Sequence, residues 1–399
     1  MPTPVFNRHV VAIKPSITMA VTGKAKEMKS KGIDVVSLSA GEPDFDTPDH
    51  IKEAAIQAIR DGFTKYTPVP GTPELRAAVA AKFKRENGLD YKPEQILTSI
   101  GGKHSCYLAV AALVDEGDEV LIPAPYWVSY PDMVILAGGT PVIMPTTSET
   151  DLKITAEQLR AAITPKTKMI ILNSPSNPSG AVYSRSELAA LGKVLLDSNV
   201  YVLSDDIYEH LVYEGEFVNI LNAEPKLYDQ TIVVNGVAKA YAMTGWRVGY
   251  AAGPLPIIKE MSKIQSQQTS NVTSISQKAT VQALNGPQDH LAVWKAEYDK
   301  RRKHMVERLN AIDGVKCAMP HGAFYVFPDV SAHIGKSYKG KKITDDVALT
   351  DVLIEDFHVA TVPGTGFGTP GFIRLSYATS MKEIDTAIDR VAAGLTALS

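Results

Sequence analysis

The sequence predicts an α/β protein: a large domain with a mostly parallel sheet flanked by helices, and a small α+β domain drawn from both chain ends. Three observations lead there. Five short apolar runs in mid-chain alternate with amphipathic stretches, the rhythm of strand–helix–strand units. Those runs are apolar throughout, as in strands covered on both faces. The 399 residues exceed the roughly 250–300 at which one core stops growing, so two domains are expected.

The first segment, residues 1–47, lacks that rhythm and is assigned to the small domain. The large domain spans 48–287. In it Val120–Ile122, Val142–Met144, Met169–Leu172, Val200–Leu203 and Thr231–Val234 read as buried strands ended by polar, Gly or Pro residues. Thr155–Ile163 and Ser186–Leu196 read as intervening helices. The rest of the small domain, 288–399, opens with a charged amphipathic helix over Trp294–Leu309. Val315–Cys317, Ala323–Phe327 and Phe372–Ser376 then predict a small antiparallel sheet.

Composition excludes several classes. Hydrophobic residues make up 45% and charged residues 21%, an ordinary soluble mix. Forty-one Lys+Arg against 44 Asp+Glu leave a net charge of −3, which argues against a nucleic-acid binder. No apolar run approaches the roughly 18 residues of a membrane span. Arg8 and Lys14 are followed by no continuous apolar stretch, so no signal peptide is expected. Two cysteines, Cys106 and Cys317, suit a reduced compartment such as the cytoplasm. Metal-site spacings are absent. Gly364-Thr365-Gly366-Phe367-Gly368 misses the dinucleotide-binding pattern, and Gly335-Lys336-Ser337 lacks the first glycine of a P-loop and reads as a loop.

Open α/β sheets bind ligands beyond the carboxyl ends of their strands. Met169–Leu172 is followed by Asn173 to Gly180, Val200–Leu203 by Ser204 to Tyr208, and Thr231–Val234 by Asn235 to Lys239 and then Thr244 to Tyr250. A lysine, a carboxylate, a tyrosine and an asparagine at neighbouring strand ends suit pyridoxal phosphate. The lysine takes the aldehyde as a Schiff base, the carboxylate holds the ring nitrogen protonated, and the tyrosine and asparagine bond the ring oxygen. Arg247 and the amides of Gly102 and Lys103, at the start of a helix over His104–Leu113, suit the phosphate. Singly each signal is weak. A lone lysine is usually a solvated charge, Asn-Pro-Ser-Gly a turn, an Asp at a strand end a helix cap, and Trp127 core packing. His104 and Cys106 read as core- or solvent-facing helix residues. Order and spacing together carry the weight.

Over essentially its whole length the sequence resembles the class I, fold-type I pyridoxal-phosphate-dependent aminotransferases. Within them it is most similar to the bacterial aspartate/prephenate branch. The matching motifs are Ala40-Gly41-Glu42-Pro43-Asp44-Phe45, Tyr66-Thr67-Pro68 with Gly71, Gly101-Gly102-Lys103, and Pro125 through Tyr130. They continue with Asn177-Pro178-Ser179-Gly180, Asp205 to Tyr208, Lys239 to Arg247, and Arg374-Leu375-Ser376-Tyr377. The resemblance implies Lys239 as the Schiff-base lysine and proton shuttle, and Asp205 as partner of the pyridinium. Tyr208 and Asn177 would meet the ring oxygen, with Trp127 stacked on the ring. It implies Arg247, Gly102 and Lys103 on the phosphate, joined by Tyr66 from a neighbouring subunit, hence a homodimer with shared sites. Arg374 would clamp the substrate α-carboxylate, a bidentate task, with Gly41 close against the substrate. The reaction implied passes the amino group of L-aspartate to 2-oxoglutarate, with prephenate as a further substrate.

Two departures stand out. Many relatives carry a serine where this chain has Gly236. Others read the distal carboxylate with a partner-subunit arginine, yet after Arg247 the next arginine here is Arg301. Lys103 is the candidate replacement, assisted by Lys14 and Ser16. The rival readings are an aminotransferase for prephenate, aromatic or neutral amino acids, a lyase of the same fold, and a cofactor-binding regulator. The last would need a DNA-binding extension, and only some 40 residues precede Gly41.

Overall fold

The computed structural model describes residues 5–399; the first four residues of the N-terminal segment lie outside it. Seven strands form the main sheet: β1 (Ile96–Ser99), β2 (Glu119–Pro123), β3 (Thr140–Met144), β4 (Thr167–Asn173), β5 (Tyr201–Asp205), β6 (Thr231–Gly236) and β7 (Gly249–Ala252). Their spatial order is β1-β7-β6-β5-β4-β2-β3. All run parallel except β7, which is antiparallel to both neighbours. Each expected strand of this sheet is present, with ends that differ by at most two residues. The apolar pattern does not predict β1 and β7: Ile96–Ser99 has two polar residues in four, and Gly249–Ala252 is too small to read as apolar.

The pleat explains the continuous apolar runs. Leu121, Ile170, Leu172, Val202 and Val233 pack into one buried cluster. Their chain neighbours Val120, Ile122, Met169, Ile171, Leu203, Ile232 and Val234 pack into another. Both faces are therefore dry, and the central positions of these strands carry apolar side chains. The helices between strands carry their start signals. Ser184 and Glu187 form a reciprocal cap on Arg185–Leu196, as Thr155 and Gln158 do on Ala156–Ala162.

A third cluster joins Val36 and Leu38 to Tyr298, Met305, Phe324, Leu375 and Ile388. Val36 pairs in parallel with Val359, and the Ser376 amide donates to the Leu38 carbonyl at 2.8 Å. Both chain ends thus share one core. The small antiparallel sheet consists of Val362–Pro363, Ile373–Ser376 and Tyr325–Val326. Val315–Cys317 is not one of its strands: only Lys316 makes an isolated bridge, to Asp329. A run of three is too short to distinguish a strand from an apolar turn. Ser337, expected as loop, pairs together with Tyr338 against Lys341–Lys342 in a short hairpin. No helix among the described residues is long and apolar enough to cross a membrane.

Candidate active site

Parallel register places Asn173 beside Asp205 at the carboxyl ends of β4 and β5, with Gly236 ending β6 next door. A cavity of about 460 Å³ opens there, within the usual range of small-molecule sites. Ser16, Gly41, Gly102, Lys103, Trp127 and Asn177 line it. So do Asp205, Tyr208, Lys239, Arg247 and Arg374. Eleven residues that span most of the sequence therefore converge on one space.

Lys239 sits at its floor and donates from Nζ to the Gly41 carbonyl. Burial, with Arg374 and Arg247 nearby, brings the ammonium down to about 8. A free amine is therefore accessible near neutral pH, which is what attack on a carbonyl requires. Gly41 has no room for a side chain, because the Tyr325 hydroxyl lies 2.6 Å from where a Cβ would stand.

Asp205 is buried, and burial raises its pKa. Tyr130 Oη donates to its Oδ2 at 2.6 Å, Cys106 Sγ lies 3.6 Å from the same oxygen, and the Ile207 amide reaches Oδ1 at 3.3 Å. These donors pull the carboxyl back towards the anion. Asn173 Nδ2 donates to the Asp205 carbonyl at 2.9 Å, and its Oδ1 accepts from the Asn177 amide at 2.8 Å, fixing the two strand ends together. Tyr208 is buried, its hydroxyl 2.8 Å from that of Tyr325 and its ring centroid 5.7 Å from Lys239 Nζ. Burial raises the pKa of the phenol well above its usual value, so it stays a donor.

Arg374 is 2% exposed. Nη1 donates to Asn177 Oδ1 at 2.9 Å, Nη2 to the Ser39 carbonyl at 2.6 Å, and the guanidinium lies 4.5 Å from the Tyr325 ring centroid. Its Nε has no partner. No carboxylate among the described residues pairs with it. A buried guanidinium left without a counter-charge is costly unless a ligand supplies one.

A second anion-binding corner faces it. Helix Gly102–Leu113 begins at Gly101, whose φ of 91° lies in the left-handed region. A Cβ there would also collide with Arg247, whose Nη2 lies 2.5 Å from its place. Arg247 itself takes φ 57°, held by Thr244 O at 2.8 Å and Ile100 O at 3.2 Å. Guanidinium and helix N-terminus thus converge, a ready anion site. Lys103 Nζ sits 5.0 Å from the Trp127 ring centroid, and burial beside Arg247 lowers its pKa. Gly236 is tight: a Cβ would approach Val248 O to 3.0 Å and Gly249 Cα to 3.1 Å. A serine there would have to displace backbone.

Two expected site residues lie elsewhere. Tyr66 is 91% exposed and does not line the cavity of its own chain. Lys14 lies near Asp132, whose carboxyl pKa burial raises and Lys14 only partly pulls back, while Ser16 caps helix Ile17–Ser30 and lines the cavity. Residues assigned no role in the site from sequence are Tyr130 and Cys106 on Asp205, Tyr325 on Tyr208, and Glu42, whose Oε2 accepts from Thr244 at 3.1 Å. Tyr130 and Glu42 stand inside the matching motifs. Tyr325, 117 residues from Tyr208, has no local signal.

A doubly flanked sheet whose strand ends carry a lysine and a carboxylate, facing two guanidinium groups that have no carboxylate partner, defines a group-transfer enzyme of the fold-type I class. The model of the family "Aminotransferase class I and II" matches residues 33–391. The chain belongs to this family and is an aminotransferase. It is 54% identical over 390 residues to the aspartate/prephenate aminotransferase of Cereibacter sphaeroides, covering 97% of this chain and 98% of the relative. It is 50% identical over 384 residues to the aspartate aminotransferase of a Bacillus species, covering 96% and 97%. Among solved structures, the aspartate aminotransferase of Rhizobium meliloti superposes with a TM-score of 0.95 at 48% identity over the whole of both chains. That of Thermus thermophilus with maleate gives 0.92 at 44%, covering 98% of this chain and 100% of the other.

Proposed function

We propose that the cavity binds pyridoxal phosphate and that the chain transfers the amino group of L-aspartate to 2-oxoglutarate, giving oxaloacetate and L-glutamate, with prephenate as an additional acceptor. The observation that carries this is Arg374: a buried, carboxylate-free guanidinium facing the same cavity as a lysine that yields its proton easily. Bound there, the cofactor supplies an electron sink for the charge that develops at the substrate Cα.

The chain's own residues supply the rest. Arg374 grips the α-carboxylate and so presents the Cα–H bond to Lys239. Lys239 Nζ, as a free amine, would take that proton and carry it as its own ammonium. Asp205, its charge secured by Tyr130 and Cys106, would hold the ring nitrogen protonated. Tyr208 and Asn177 would hold the ring oxygen, and Trp127 would pack against the ring. Arg247 and the amides of Gly102 and Lys103 hold the phosphate.

Specificity belongs to the same proposal. Lys103 is the cation we assign to the distal carboxylate, helped by Ser16 on the cavity wall and by Lys14. The Thermus enzyme was solved with maleate, a four-carbon dicarboxylate, and that supports the reading. Tyr66, exposed and remote from its own cavity, is assigned to the partner subunit's site in a homodimer. Two unpaired, buried thiols support a cytoplasmic setting. The domain division at 47 and 287 is proposed on the same footing; the shared core of both chain ends supports it.

Half-reaction absorbance tests the function. Aspartate, glutamate, alanine and phenylalanine are each mixed with the enzyme, and prephenate and 2-oxoglutarate with its aminated form. Aspartate and glutamate should convert fastest. Equal rates for alanine or phenylalanine would remove the dicarboxylate assignment. Borohydride should fix the cofactor on Lys239, and peptide mass mapping to another lysine would remove the site.

A further inference from the structure

Helix Pro73–Lys82 runs into a wide π-type turn, Phe83–Asn87, closed by Gly88 at φ 66°. The widened turn puts Lys82 and Asn87 on one face, where Lys82 Nζ donates to Asn87 Oδ1 at 2.8 Å. Both reach Glu209. Lys82 Nζ pairs with Oε1, and Asn87 Nδ2 donates to Oε2 at 2.6 Å. The three close a triangle and are only 1%, 8% and 7% exposed. Glu86, Glu209 and His210 also gather there, but the Lys82 ammonium already occupies the cationic position among them.

A buried ion pair is a poor device for stability, since apolar residues of similar volume usually serve as well or better. Its use lies in what it fixes. Glu209 follows Tyr208 in the turn beyond β5, in which the Glu209 amide donates to Asp206 O at 2.9 Å and the Leu211 amide to Tyr208 O at 2.8 Å. Asp205 anchors the near end of that turn through Tyr130. Asp206 is held by Ser204 at 2.7 Å and by Asn219. Glu209 ties the segment just after Tyr208 to a distant part of the fold, 127 residues away at Lys82.

We infer that Lys82 and Asn87 are positioning residues: they hold Glu209 and thereby set the Tyr208 hydroxyl against the cofactor's ring oxygen. This rests on the reading of the cavity as a pyridoxal phosphate site. A correctly placed phenol stabilises negative charge on that oxygen and weakens the hold of the lysine–cofactor chromophore on its proton.

The test is the absorbance titration of the holoenzyme, alongside thermal melting of the apoenzyme. The double variant Lys82→Met/Glu209→Met removes both charges and should melt near the wild type. Its chromophore midpoint should move upward by about half a unit or more, in the direction that Tyr208→Phe gives. Added to Tyr208→Phe, the double variant should shift the midpoint no further, because both lesions remove one hydrogen bond. Asn87→Ala, which keeps the ion pair and the fold, should shift it less in the same direction. An unmoved midpoint in both Asn87→Ala and the double variant overturns the clamp while leaving the cofactor site intact. So does an equal shift with and without Tyr208. Absence of a lysine-bound chromophore in the wild type overturns both.

Discussion

The Tyr130 hydroxyl donates to Oδ2 of Asp205 across 2.6 Å, and this contact determines which carboxylate oxygen remains for the cofactor. Cys106 lies on the same oxygen. Oδ1 accepts only a long 3.3 Å bond from the Ile207 amide, so it is the oxygen that would be free for the proposed pyridinium. Tyr130→Phe should keep the cofactor and slow Cα deprotonation about 10- to 100-fold, the loss of one charge-assisted hydrogen bond of about 1.5–3 kcal/mol. Asp205→Asn should cost more, since an amide cannot hold the ring nitrogen protonated. Single-turnover rates check both, and a near-normal rate in Asp205→Asn would remove the assigned role.

Lys239 gives a pH prediction for the apoenzyme. Its folded value of about 8 lies below the ordinary 10.5, so between these the unfolded chain binds more protons than the folded one. The contribution to stability is thus fully present above 10.5 and lost as pH falls through 8. Apo Lys239→Met should be more stable than wild type at pH 7 by about 3 kcal/mol, with the gap closing towards high pH. Urea melts across that range measure it; a constant gap would mean an ordinary lysine.

Substrate choice separates two roles for Lys103. If its ammonium meets the distal carboxylate, Lys103→Ala should raise KM for aspartate and 2-oxoglutarate by a cost of about 1.5–3 kcal/mol. Alanine and phenylalanine turnover should hold, as should cofactor retention on dialysis. A uniform loss with all substrates, together with cofactor release, would make Lys103 a phosphate ligand.

Tyr66 predicts complementation. Mixing Tyr66→Phe with Lys239→Ala subunits gives a hybrid in which one site carries both lesions and the other none. Activity should reappear on mixing. Mixed dimers that exchange subunits yet stay inactive would exclude a shared site.

The sequence by itself determined the alternating architecture, because strands covered on both faces need continuous apolar runs and helix caps need particular residues. It also pointed to the chemistry-bearing residues Lys239 and Asp205, since parallel strands deliver their following loops to one edge, whereas Arg374, on a strand of the small antiparallel sheet, was legible only through the family motif. Tertiary structure alone decided the partners. Tyr325 beside Tyr208, Tyr130 and Cys106 on Asp205, and Lys82 against Glu209 are contacts across 75 to 127 residues of chain. No local spacing records them. They arise where separate elements pack, and burial there converts ordinary side chains into an amine ready to give up its proton, a secured anion and an unpaired guanidinium.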